Sequence, residues 1–317
     1  MRLTCRVALC LAVAIFAAVL PPDLPAVADD RPEPHVHESP QPDVVGELLA
    51  GFYLRREAAP ALALGLDLAQ AYGAQAHFVR KIRGAFEARK LGSGKVVGYK
   101  AALTNPAVQA AFGVKEPLRG VLLAGMLLPS GTSVRADFGS VPLSEGDLLV
   151  RVRSGAINRA STRLDVLAAL DAVIPFVELP DLVYDKGIKI DGPAGAAINA
   201  AARLGIVGEP IPIAASADWE RRLGEFTADI LDESGKVVAT GQGKALLGHP
   251  IDAVIWLRDS LKAAGTELQT GDLLSLGTVT KLLPVKAGAV VRARYTGLDP
   301  GGPVEISVKF HEQPHEL

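Results

Sequence analysis

Ser144-Glu145-Gly146-Asp147-Leu148-Leu149-Val150 places two acids at the head of an apolar run and reads as the start of a β-strand. Side chains two apart on a strand leave the same face, so Glu145 and Asp147 point at one spot. A third acid, Glu178, closes Val173-Ile174-Pro175-Phe176-Val177-Glu178, a second apolar strand-like run. Three carboxylates at the ends of hydrophobic strands are costly to gather unless a cation neutralises them. An all-oxygen donor set suits Mg²⁺ or Mn²⁺. By spacing alone the alternative stays open that these are solvated strand-end acids.

Outward from this stretch the chain reads as one α+β domain. Val44 to Arg56 and Ala61 to Lys90 carry apolar residues at helical spacing, with Pro60 between them. After Leu91-Gly92-Ser93-Gly94 the period changes to short β-like runs: Val96–Lys100, Gly120–Leu123, Asp147–Val152, Val173–Leu179 and Phe226–Leu231. Val237–Ala239, Leu273–Leu276, Ala289–Tyr295 and Val304–Phe310 follow, with helices expected at Thr162–Ala172, Gly195–Arg203 and Pro250–Ala264. Long gaps between strands and few tight hairpin signals argue against a simple sandwich meander.

The first 28 residues read as a cleaved signal peptide. Arg2 and Arg6 precede an apolar run from Val7 to Leu20, and Ala26-Val27-Ala28 offers a small-residue cleavage site. Residues 29–43, with four prolines and no apolar periodicity, read as a disordered linker, leaving 44–317 as the folded domain. The expected location is periplasmic or secreted, with no membrane attachment after cleavage. Cys5 and Cys10 both lie in the signal, so the mature chain has no thiol for disulfides, nucleophilic catalysis or metal binding. With 33 basic and 35 acidic residues the charge balance gives no general attraction to nucleic acid. Nearly half the residues are apolar, enough for a core of full domain size.

Val97-Gly98-Tyr99-Lys100-Ala101-Ala102-Leu103-Thr104-Asn105-Pro106 resembles the lysine motif of the 2-keto-4-pentenoate hydratase family, within the fumarylacetoacetate hydrolase superfamily. The resemblance runs on collinearly through Glu145-Gly146-Asp147, Ile174-Pro175-Phe176-Val177-Glu178, Leu247-Gly248-His249-Pro250-Ile251-Asp252-Ala253 and Gly271-Asp272-Leu273-Leu274-Ser275. It implies a mixed, strongly curved β-roll with a metal site at its mouth. It also implies Glu145, Asp147 and Glu178 as metal ligands, with Asp147 one methylene shorter than the Glu usual there. Lys100 would then hold the substrate carboxylate or stabilise an enolate.

Further expectations carry less of the pattern. Asn199 falls where relatives place a substrate-side Asp-Asn stretch. Thr280 lies in a pocket-closing loop in which Lys281 replaces a residue that is usually uncharged. Arg151 leaves the strand on the face of Glu145 and Asp147 and could clamp a second carboxylate, or it could turn to solvent. Gly125 stands where relatives commonly carry an acid before the methionine, which leaves the proton-transfer group unassigned. The reaction implied is hydration of a short 2-hydroxy-2,4-dienoic or 2-oxo-enoic acid to a 4-hydroxy-2-oxo acid. Decarboxylation of an oxalocrotonate-type diacid at the same site, or an exported protein that only binds 2-oxo acids, are the alternatives. The histidines beyond the linker match no water-activating motif, which disfavours hydrolysis. Relatives assemble as homodimers and larger rings, so a homo-oligomer is expected.

Overall fold

The computed structural model describes residues 41–88 and 92–312. The signal segment, and the linker up to residue 40, lie outside the described residues. Helix α1, Pro42–Arg55, already begins inside the stretch read as linker, with Pro42 at its first turn. Helix α2, Leu68–Ala88, packs along α1, but residues 61–67 are turns and not the start of α2. The buried faces of these helices form one core cluster with α5, Gly192–Ala197.

Strand β1, Val96–Ala102, carries Lys100, and α3, Pro106–Ala111, follows it behind an Asn105 cap that accepts from Ala107 N at 2.9 Å. Next come β2, Leu118–Leu123, β3, Leu127–Pro129, β4, Ser133–Arg135, and β5, Leu143–Val152. The long β5 pairs antiparallel with β6, Leu170–Leu179, and the interiors of both are buried on both faces, which explains their near-continuous apolar runs. Helix α4 occupies only Arg163–Ala168. A Thr162/Asp165 capping box starts it, and the residues expected to continue the helix from Leu170 instead open β6.

β7, Leu204–Val207, and β8, Ile211–Pro212, add to β6. Helix α6, Ala217–Glu225, leads to β9, Thr227–Leu231, and β10, Val237–Gln242. Helix α7, Pro250–Ala263, begins at His249, whose ring accepts from Ile251 N at 3.1 Å, so this histidine is a cap, as its place before Pro250 suggests. β11, Leu273–Ser275, β12, Leu283–Pro284, β13, Val290–Thr296, and β14, Val304–His311, complete the order.

Among the described residues these strands form two sheets. The larger is mixed and curled, in the order β2-β1-β11-β5-β6-β7-β3, with β12 on β5 and β8 on β6. The smaller runs β10-β9-β13-β14-β4, and the main core lies between the two. Gly98 is required where β1 meets β11 in parallel, because a Cβ there would stand 1.8 Å from Leu273 O. Among the described residues, no helix is long and apolar enough to cross a membrane.

Candidate active site

The register of β5 and β6 sets Glu145 directly across from Glu178 and Asp147 across from Phe176. All three acids are buried, Asp147 completely. Lys100 reaches them from β1, whose neighbour β11 separates it from β5. Its Nζ donates to Glu178 Oε1 and to Ala200 O, the latter at 2.9 Å. The four residues read from the sequence as metal and enolate groups therefore share one buried patch on the curled sheet.

Electrostatics follow from burial. Asp147 is pushed up to about 8 by desolvation and then by the Glu178 charge. Ser275 Oγ and Leu148 N–H donate to its two oxygens and oppose that rise. Glu145 is raised well above the usual carboxylate range by desolvation, Glu178 and Asp147, against the pull of Lys100 and Thr278. One of its oxygens, Oε2, is buried without a hydrogen-bond partner. One lysine thus faces three acids, and the patch lacks positive charge.

The side chains as they stand do not close round a point: among the described residues no trio of acidic, histidine or cysteine groups is arranged to hold an ion. The reason is visible in the hydrogen bonds. Lys100 occupies Glu178, and Ser275 occupies Asp147. The chemistry of the donor set nevertheless fits a divalent cation, since three buried carboxylates and an orphaned oxygen need more positive charge than Lys100 supplies.

Lys100 and Glu145 line a cavity of about 450 Å³. Its walls are largely apolar, from Ala102, Leu103, Leu118, Leu182, Ile190 and Ile198 among others. Thr280 lies in this wall, as expected, but its hydroxyl is already engaged: it accepts from Gly146 N at 2.9 Å and donates to Lys281 O at 3.3 Å. The placement makes it a brace between the 277–282 loop and β5.

Asn199 is not presented to the cavity as a substrate ligand. Its amide accepts from Val121 N at 2.7 Å and donates to Val121 O at 2.9 Å, tying a turn to β2. That turn replaces the helix expected through Arg203. Asn199, Ala200 and Ala201 are all left-handed, with φ of 58°, 50° and 61°, and the turn presents Ala200 O to Lys100. Arg151 also stands apart. It lies four residues beyond Asp147 on the same face, roughly 13 Å along the strand, and its Nε donates to Asp171 Oδ1 at 2.8 Å at a half-exposed rim. Gly125 is not in the cavity wall either; a Cβ there would meet the Phe86 ring at 2.6 Å. The missing acid is therefore, in this chain, a matter of helix packing.

Thr278, in the loop expected to close the pocket, lines the cavity and bonds to Glu145, whereas two contributors escaped sequence reasoning: Ser275 and Tyr295. Ser275 interrupts an apolar strand, a signal that was available. Tyr295 comes from the second sheet, and its hydroxyl lies 2.8 Å from Asp147 O and 2.5 Å from Phe176 O, which no local pattern reveals.

No protein-family model matches the chain. It is 32% identical over 204 residues to a 4-oxalocrotonate decarboxylase of Pseudomonas putida, covering 64% of this chain and 75% of the relative. It is 30% identical over 198 residues to 2-keto-4-pentenoate hydratase 1 of Dechloromonas aromatica strain RCB, covering 61% and 72%. The chain belongs to the 2-keto-4-pentenoate hydratase family. Family membership extends to architecture. The structure of the 4-oxalocrotonate decarboxylase from Pseudomonas putida G7, complexed with magnesium and adipate, superposes with a TM-score of 0.72 at 29% identity, over 85% of this chain and 97% of that one. Hydratases and decarboxylases thus stand side by side among relatives of this hydratase-family chain.

Proposed function

We propose that this protein is a divalent-metal-dependent hydro-lyase that adds water to a 2-hydroxy-2,4-dienoic acid and releases a 4-hydroxy-2-oxo acid. The observation that carries the reading is the burial of Glu145, Asp147, Glu178 and Lys100 together beside a largely apolar cavity. Glu145, Asp147 and Glu178 would hold Mg²⁺ or Mn²⁺, with Lys100 released from Glu178 towards the substrate. When bound, the ion supplies Lewis-acid polarisation of the substrate's carboxylate and 2-oxygen.

The chain's own residues supply the rest. The ammonium of Lys100, held at the floor by Ala200 O, stabilises negative charge developing on the 2-oxygen. The apolar walls exclude bulk water, so that charge is felt in a low dielectric. Ser275 fixes the rotamer of Asp147, and the Thr280 brace fixes the strand that carries Glu145. In balance, the dienol gives up its 2-hydroxyl proton and gains one at C5, and one water then adds across the C3–C4 double bond, its hydroxyl going to C4 and its proton to C3.

The test follows the ultraviolet absorbance of 2-hydroxypenta-2,4-dienoate with chelator and then with Mg²⁺ or Mn²⁺, and the product mass. Ion-dependent loss of the dienol with gain of one water is expected. Normal turnover by the Glu145→Ala/Glu178→Ala double variant would refute it. A second reading, decarboxylation of an oxalocrotonate-type diacid, is favoured by the similarity to the Pseudomonas enzymes, and CO₂ release from such a diacid without net hydration would select it. An ion-dependent thermal shift with a 2-oxo acid but no chemical change would instead mark a binding protein. We also infer export of the mature chain from the N-terminal segment and a homo-oligomer in solution. Cell fractionation and light scattering test these.

A further inference from the structure

A second cavity, of about 650 Å³, lies outside the site described above. It opens between the start of α2 (Leu68, Tyr72), the start of β2 (Arg119) and the last turns of α7 (Trp256, Ser260). The two cavities share α3: Gln109 lines the second, whereas Val108 and, at the helix end, Phe112 line the first. Lys100 and the three acids take no part in the second wall.

Arg119 is held in place without an acid to hold. Its guanidinium carbon sits 3.7 Å from the centroid of the Tyr72 ring, and that ring is fixed because the Tyr72 hydroxyl accepts from Arg119 N at 3.1 Å. Its Nη1 donates to Ser260 Oγ at 3.1 Å, and Gln75 Nε2 donates to Arg119 O at 2.9 Å. A guanidinium stacked and bonded in this way is already ordered, and its fork matches a planar carboxylate. Yet among the described residues Arg119 makes no ion pair, and its Nε and Nη2 donate to nothing. The acids of the same wall stay apart: Asp259 pairs with Arg258 at 2.8 Å, and Glu116 is exposed with no ion-pair partner among the described residues. Gln109 shows a similar imbalance. It is 7% exposed, its amide nitrogen donates to Leu103 O at 2.8 Å, and its amide oxygen accepts no hydrogen bond among the described residues. Apolar surface comes from Leu68, Leu247 and Trp256. A cavity of this size, with a few polar groups set among apolar and aromatic side chains, is the usual form of a small-molecule site.

We propose that this second cavity binds a small organic acid with a flat, apolar body. Its carboxylate takes the free Nε–Nη2 edge of Arg119, and its body lies against Trp256 and Leu247. The amide oxygen of Gln109 is left for a donor on the ligand. The site is separate from the reaction, so it stands or falls by binding alone.

The experiment uses benzoate as the probe and Trp256 as the reporter. The chain has two tryptophans, so Trp219→Phe leaves Trp256 as the sole source of indole fluorescence. In that background, with chelator present, benzoate should quench the fluorescence saturably. Arg119→Gln should weaken binding about 10-fold, the worth of one charge-assisted hydrogen bond. Arg119→Lys keeps the charge but loses the fork, so its affinity should fall between the two. Benzyl alcohol, flat but uncharged, should bind about 10-fold more weakly than benzoate. Ala263 is exposed on α7 and lines the cavity, so Ala263→Phe should fill the space and abolish quenching while leaving Arg119 in place. That variant carries the test if the Arg119 variants melt early. Saturated 2-oxopentanoate with Mg²⁺, directed at the reaction cavity, should not displace benzoate. Undiminished affinity in Ala263→Phe or in a folded Arg119→Gln would overturn the proposal, as would benzyl alcohol binding as tightly as benzoate. Displacement by 2-oxopentanoate, or no saturable quenching up to about 10 mM benzoate, would overturn it too.

Discussion

Replacing Lys100 by Met removes the cation from a site in which both partners of the Lys100–Glu178 pair are almost wholly buried, at 3% and 4% side-chain exposure. Breaking a buried pair from one side leaves an uncompensated charge, which costs about 3–5 kcal/mol. The lost bond to Ala200 O contributes roughly 1 kcal/mol of that, since the carbonyl is left without its donor. A domain of this size shifts by about 2–4 °C per kcal/mol, so the ion-free variant should melt roughly 6–20 °C below ion-free wild type. A divalent ion restores positive charge to the same acids. With excess Mg²⁺ or Mn²⁺ the deficit should therefore contract to the part due to Ala200 O, about 1 kcal/mol. Paired thermal melts at neutral pH, with chelator and with ion, measure both arms. An equal deficit in the two arms would refute the idea that lysine and ion answer the same unbalanced charge. So would an ion-free deficit near zero.

Ion-free protein should also lose stability as pH rises from about 4 to 8. Asp147 keeps a proton in the folded state up to about 8, whereas the unfolded chain releases it near 3.8, so the folded form binds more protons throughout that window. Urea unfolding at several pH values checks the slope, and a flat or rising profile would contradict it. Asn199→Ala should cost about 2–4 kcal/mol by leaving both backbone groups of Val121 unpaired and by placing alanine at the left-handed position of Asn199, with the loss seen in denaturant midpoint. Arg151→Ala should change stability by less than about 1 kcal/mol and leave turnover intact, because its partner Asp171 is itself over a third exposed. Gly98→Ala should abolish soluble expression or ion binding, since the new methyl collides with the backbone of β11.

What could be read from the chain alone was what repeats locally or follows a motif. The same-face pairing of Glu145 and Asp147 is a period-two consequence of a strand, and the structure places them so. Lys100 was legible through its motif, and His249 through the proline after it. Failures came where tertiary contacts override local pattern. Leu170 continues a helical spacing, yet the demand for a long strand beside β5 takes it. Arg151 obeys alternation but lies too far along the strand, and alternation carries no information about distance from the site. Asn199 was found at the correct place with the wrong partner, because nothing in Ile198-Asn199-Ala200-Ala201 announces three consecutive left-handed residues.

Tyr295 links the site to the order in which the chain is made. Its hydroxyl meets the backbone of Asp147 and Phe176, the directly opposed pair on β5 and β6. It arrives on β13, near the end of the chain, after every acid and Lys100 has already been synthesised. Vectorial synthesis therefore yields the four charged side chains well before the hydroxyl that fastens their strands. A nascent or truncated chain lacking β13 would have the ligands without their final spacing. It would be a poor trap for ions met before folding is complete, and the last strands would act as the latch that makes the carboxylates a site.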